Sequence, residues 1–138
     1  MKKTRFKRQL LLMIVWFLTG NVIANPISVD DAMLRAKKIL SSNTAKRIKG
    51  NINLSLAYSM TDSLSTIAEE PVLYAFNIND GNGFVIVSGD DVAKPILGYC
   101  DSGSFDADNI PVNMKIWLNS YAEEISWAKK HDSTTGMF

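Results

Sequence analysis

The chain has 138 residues, 46% of them hydrophobic and 21% charged, with 15 Lys and Arg against 14 Asp and Glu. This size and balance suit one ordinary globular domain and leave no need for a second. One cysteine excludes an intrachain disulfide, a lone histidine and cysteine exclude a structural zinc set, and the Lys and Arg beyond the first eight residues are too scattered for the dense patch of a nucleic-acid binder.

Lys2, Lys3, Arg5, Lys7 and Arg8 precede an apolar run from Leu10 to Leu18, and Val22, Ile23 and Ala24 follow it with residues that a signal peptidase accepts. We read residues 1–24 as a cleaved signal peptide, which makes the protein exported, periplasmic or secreted. A membrane anchor is the competing reading, but the run falls short of the roughly 20 residues that a spanning helix needs. Without those five basic residues the formal balance moves from +1 to −4. The mature chain is then mildly acidic, with no expected membrane or nucleic-acid partner, and residues 25–138 form the domain.

From Ser28 to Leu40 the residues Val29, Ala32, Met33, Ala36, Ile39 and Leu40 recur at helical spacing behind a Ser-x-x-Asp start, which predicts an amphipathic helix. Ser41 to Gly50 reads as a solvated connection. Ile52, Leu54, Leu56, Tyr58 and Met60 then alternate with Asn53, Ser55, Ala57 and Ser59, a strand with one buried and one polar face. After a polar loop from Thr61 to Glu70, Pro71 opens a second strand to Ile78. The turn signal Asp80, Gly81, Asn82 and Gly83 joins it as a hairpin to a third, Phe84 to Ser88. A turn at Gly89, Asp90 and Asp91 leads to a fourth strand ending at Cys100. Asp101 to Asn109 is a surface loop, and Pro111 opens a last helix whose stripe is Met114, Trp117, Leu118, Tyr121, Ile125 and Ala128. The expected fold is α+β: an antiparallel sheet of about four strands with an N-terminal and a C-terminal helix packed on one face.

Catalytic chemistry is missing from this pattern. Cys100 lies in a strand and His131 past the last helix, so neither is placed to form a nucleophile and base pair. Asp101, Asp106 and Asp108 share a loop without the order of a calcium site. Asp90 and Asp91 read as turn formers. No cofactor or metal is expected, and no enzyme activity.

Tyr74 to Ile78, the block Gly83 to Asp90 reading GFVIVSGD, Ile96 to Tyr99 reading ILGY, and Ser102 to Ala107 reading SGSFDA come in order with a helix carrying Tyr121, Glu124 and Ile125. This set resembles the propeptides of streptopain-type papain-like cysteine peptidases (family C10) and their free-standing Spi-type inhibitor relatives. The likeness is close from Tyr74 to Thr135 and looser from Ser28 to Met60. The resemblance implies a module that binds such a peptidase and blocks its active-site cleft without cutting. It also implies that the loop before the last helix enters the cleft, with an Asn acting on the catalytic His.

Counting back from Tyr121 makes that residue Asn113; a different gap makes it Asn109. Asp106 and Asp108 complete the expected contact loop, and Phe105 either touches the partner or tucks onto its own core. Asn109 can equally be a turn or cap residue, and Asn113 an exposed first-turn residue. Three readings stay open: an inhibitor of a family C10 peptidase, a truncated and functionless remnant of such a zymogen, or a surface-binding module without a peptidase partner.

Overall fold

The computed structural model describes residues 25–43, 51–61 and 70–135. The expectations for the signal peptide, for most of the Ser41 to Gly50 connection and for residues 62–69 lie outside these.

Ser28 starts helix α1, Val29–Asn43. Its hydroxyl accepts the Asp31 amide at 3.2 Å, the N-cap bond that the Ser-x-x-Asp spacing predicts, and donates to the Asp31 carboxylate at 2.9 Å. Ala32, Ala36 and Leu40 follow one another at a spacing of four, and all three are buried.

Four strands form one antiparallel sheet in the order β1-β2-β3-β4: Leu54–Thr61, Pro71–Ile78, Phe84–Ser88 and Ile96–Cys100. The β2–β3 hairpin turns through Asn79 and Asp80 at φ 45° and 50°, where short polar side chains tolerate the left-handed region. Gly83 closes it at φ 115°, and a Cβ there would lie 2.1 Å from the Cys100 carbonyl oxygen, so no other residue fits.

Helix α2, Val112–Thr135, closes the chain order. It runs past Lys130, so His131 is a helical residue and not part of a tail. Its Nδ1 lies 2.8 Å from the Trp127 carbonyl oxygen.

The α+β class and the four antiparallel strands are as the alternation predicts, but the two helices divide between the faces instead of sharing one. Tyr74, Phe76 and Ile78 of β2, with Val85 and Val87 of β3, pack with Ala32, Ala36 and Leu40 of α1. Leu73, Ala75 and Ile86, which point the other way, pack with Leu118, Ala122 and Ile125 of α2. The reason is in β2 and β3: both alternating sets are apolar, so both faces need cover.

A second correction concerns β1. A register shift between Leu56 and Tyr58 puts Leu54 and Leu56 opposite Ile78 and Phe76, but Tyr58 and Met60 opposite Ala75 and Leu73. The apparent single face therefore splits: Leu54 joins the α1 core and Tyr58 and Met60 join the α2 core. A bulge consumes one residue and flips everything after it.

Candidate functional site

The segment from β4 to α2 leaves the sheet edge and returns to the α2 face, and its two ends are pinned differently. At the first end the Gly83 amide donates to the Gly103 carbonyl at 2.8 Å, and the Cys100 thiol donates to the Ser102 carbonyl at 3.3 Å. Asn77 then does for Phe105 what a strand would. Its Oδ1 accepts the Phe105 amide at 2.6 Å, and its Nδ2 donates to the Phe105 carbonyl at 3.2 Å. The ring of Phe105 is buried, stacked on Tyr58 at 5.6 Å between centroids and edge-on to Phe84 at 5.5 Å. Of the two options for this residue, the structure selects the inward one: Phe105 anchors the loop on its own core.

Beyond that anchor the chain turns outward. Asp106, Ala107, Asp108 and Asn109 are all exposed. Asp106 organises them: its Oδ1 accepts the Asp108 amide at 3.0 Å and its Oδ2 accepts the Asn109 side-chain amide at 2.8 Å. The Asp106 carbonyl also accepts the Asn109 backbone amide at 3.3 Å. The Asn109 side chain and then the Asp108 amide hold the Asp106 carboxyl below its usual range, because both donors favour the ionised form.

Ile110 is half-buried against the α2-side core and forms the second anchor. The Pro111 carbonyl accepts the first helical bond of α2, from Lys115, at 2.9 Å. Asn113 lies exposed in the first turn, where its Oδ1 accepts the Met114 amide at 2.9 Å. Both asparagines are thus brought to one outward segment with Asp106 and Asp108. Asn109 serves as a turn residue and Asn113 satisfies a first-turn amide, and each remains open to solvent on one side.

The helix behind this loop is fixed to the sheet at both ends. Near its start, a Cβ on Gly98 of β4 would come within 2.7 Å of Trp117 Cη2, so the indole lies directly on the glycine. Near its end, Lys129 Nζ lies 3.4 Å from the fully buried Asp90 Oδ2 and 3.6 Å from Glu70 Oε2. Burial pushes the Asp90 carboxyl up, against the opposing pull of the Val92 amide and of Lys129. Asp90 is more than the turn former that its place after Gly89 suggests. Its backbone amide donates to Ser88 Oγ at 3.1 Å and its Oδ1 accepts the Val92 amide at 3.0 Å, so it locks the turn while it holds α2.

Sequence reasoning missed Asn77 and the Asp90–Lys129 pair. A signal existed for the first: Asn is disfavoured inside a strand, and one in an otherwise apolar run needs a bonding reason. For the second, nothing local indicates that residues 39 apart in sequence meet. Among the described residues, no group of three or more His, Cys, Asp or Glu side chains is placed to hold a metal ion. No described helix is long and apolar enough to cross a membrane.

The arrangement offers a fixed polar projection and no reacting group. Comparison with known proteins gives it a context. The family model described as Spi protease inhibitor matches residues 24–125. The chain belongs to the Spi protease inhibitor family. It is 37% identical to streptopain of Streptococcus pyogenes over 124 residues, taking in 85% of this chain and 31% of streptopain. It is also 29% identical over 109 residues to the thiol protease/hemagglutinin PrtT of Porphyromonas gingivalis, covering 74% of this chain and 11% of that protein. The chain therefore spans under a third of the length of these curated relatives. No solved structure matches it significantly. The resemblance to a streptopain propeptide, close from Tyr74 to Thr135 and looser from Ser28 to Met60, is borne out, and with it the assignment to a non-catalytic inhibitor family whose partner is a protease.

Proposed function

We propose that this protein is exported and inhibits a papain-like cysteine peptidase of family C10 by seating residues 106–113 in its active-site cleft. The observation that carries this reading is that the segment is exposed yet internally fixed. Phe105 and Ile110 anchor it, and Asp106 ties it to Asp108 and Asn109. A segment already held in one conformation loses little freedom on binding, so more of its contact energy appears as affinity. Because it carries no nucleophile with a base, it can occupy a cleft without reacting there. Asn109 and Asn113 supply side-chain amides able to bond polar groups in the cleft, and the basic cluster followed by Leu10 to Leu18 supports export.

The test is a titration of the purified chain against active streptopain and active PrtT. Turnover of at least one is expected to fall to near zero, with a dissociation constant between about micromolar and nanomolar. Undiminished turnover of both at a large excess of the chain overturns the reading. Replacing both Asn109 and Asn113 by Ala is expected to weaken inhibition about tenfold or more while leaving the folded state intact, as each then loses a polar contact. Full potency in that double variant removes the two asparagines from the mechanism.

A further inference from the structure

We propose that the outer face of α2, with Val112, Ile116 and Trp127, is a second docking surface for the same peptidase, continuous with the loop and seated on apolar protein surface beside the cleft. This rests on the inhibitor reading above. Val112 is 74% exposed, Ile116 62% and Trp127 62%. At about 100° per residue these three fall within roughly 60° of one another, and their centre lies roughly 150° from that of Leu118, Ala122 and Ile125, which face the sheet. They lie apart from the core-facing series and span about 22 Å by helical rise, with exposed Asn119 and Glu123 on the same face between Ile116 and Trp127.

Two observations name the occupant. The first is continuity: Asn109, Pro111, Val112 and Asn113 are all exposed, so this face begins where the loop ends, with no buried gap but half-buried Ile110 between. The second is area. A specific interface takes about 800 Å² and 20–30 residues from each partner, and a projection of about eight residues is far short of that. Whatever accepts the loop must cover more of this chain, and the outer face of α2 is the exposed apolar surface that adjoins it. Helix α1, on the far face, exposes one large apolar residue, Leu34.

The test compares Val112→Asp with Ile116→Asp as a double variant, Trp127→Asp, and Leu34→Asp as the control on α1, each titrated against the peptidase that the unaltered chain inhibits. An acidic residue in the first turn of a helix favours it, so the fold should tolerate Val112→Asp. The double variant is expected to lose about 10- to 100-fold in potency, Trp127→Asp less, and Leu34→Asp nothing.

Potency of the double variant within about twofold of the parent overturns the second surface while leaving the loop reading intact. If the parent chain inhibits neither peptidase, the inhibitor reading fails in the parent curve itself, and the second surface falls with it. A free chain that sediments as a dimer, becomes monomeric in the double variant and keeps its potency assigns this face to a second copy and overturns the proposal. Should the double variant melt early, amide exchange in the unaltered chain decides. Slowed exchange over residues 116–127 on adding peptidase supports the proposal, and protection confined to residues 106–113 overturns it.

Discussion

Helix α1 turns Ala32, Ala36 and Leu40 onto one face of the sheet and leaves Leu34 in solvent; α2 turns Leu118, Ala122 and Ile125 onto the other and leaves Val112, Ile116 and Trp127 there. Their starts differ too. Ser28 and Asp31 cap α1 through side chains, whereas α2 begins at an exposed loop whose Asn113 bonds its own neighbour. One apolar stripe suffices to cover a sheet face. The outer face of α2 carries apolar residues that the fold does not need, and that face adjoins an outward segment built around a bonded Asx turn. The α1 layer is there to close a core; the α2 layer closes a core and also presents a surface.

The largest expected effect breaks the α1 side. Phe76 is fully buried beneath α1, and Phe76→Ala should cost about 3–5 kcal/mol in denaturant unfolding. A cost below about 1 kcal/mol would mean that this face is loosely packed. Next comes the α2 side: Gly98→Ala must displace the Trp117 indole, whose Cη2 would be 2.7 Å away. Because the clash is with the end of a side chain and not with backbone, the cost should be about 1–3 kcal/mol, with a change in Trp emission. An unchanged emission spectrum would show that the indole does not rest on the glycine.

Ser28→Ala comes third, at about 1 kcal/mol, since it removes the cap of α1 alone. Equal loss of α2 helicity, read by amide exchange, would contradict the independence of the two layers.

The smallest effect sharpens the comparison through pH. Burial raises the Asp90 carboxyl, so the folded chain keeps a proton on it, from the ordinary carboxylate range up to the raised folded value, after the unfolded chain has lost it. Stability contributed by Asp90 therefore falls as pH rises through that interval, and Asp90→Asn should flatten the slope. Asp106 acts with the opposite sign: its carboxyl is lowered, so its contribution is present above the ordinary range and lost as pH falls through the folded value. Unfolding curves for Asp90→Asn and Asp106→Asn between about pH 3 and 7 separate the two. An unaltered slope in Asp90→Asn would show that its burial does not govern its titration.

Much of this fold was legible in the residues. The hairpin at Asp80 to Gly83, the Ser28 cap and the buried faces of both helices follow from turn chemistry and periodicity, because each depends on neighbours in sequence. The division of the helices between faces was written in β2 and β3, where Val72 to Phe76 is continuously apolar, but the alternation in β1 suggested one face. The bulge at Leu56/Tyr58 preserves that alternation in sequence while breaking it in space. In the candidate site, Asn109 and Asn113 were found through resemblance, and the inward place of Phe105 needed the contact with Tyr58, 47 residues away. The core-facing series of α2 masked the exposed Val112, Ile116 and Trp127 on its other side, because their spacing is broken by Asn119 and Glu123.

Alkylation of the peptidase's catalytic cysteine reports on the cleft itself. With the chain bound, that thiol should react with iodoacetamide many times more slowly than in the free peptidase, and mass spectrometry of the peptidase would read the difference apart from Cys100 of the chain. A complex in which turnover stops but the thiol is alkylated at its free rate would place the chain elsewhere on the peptidase and contradict occupation of the cleft.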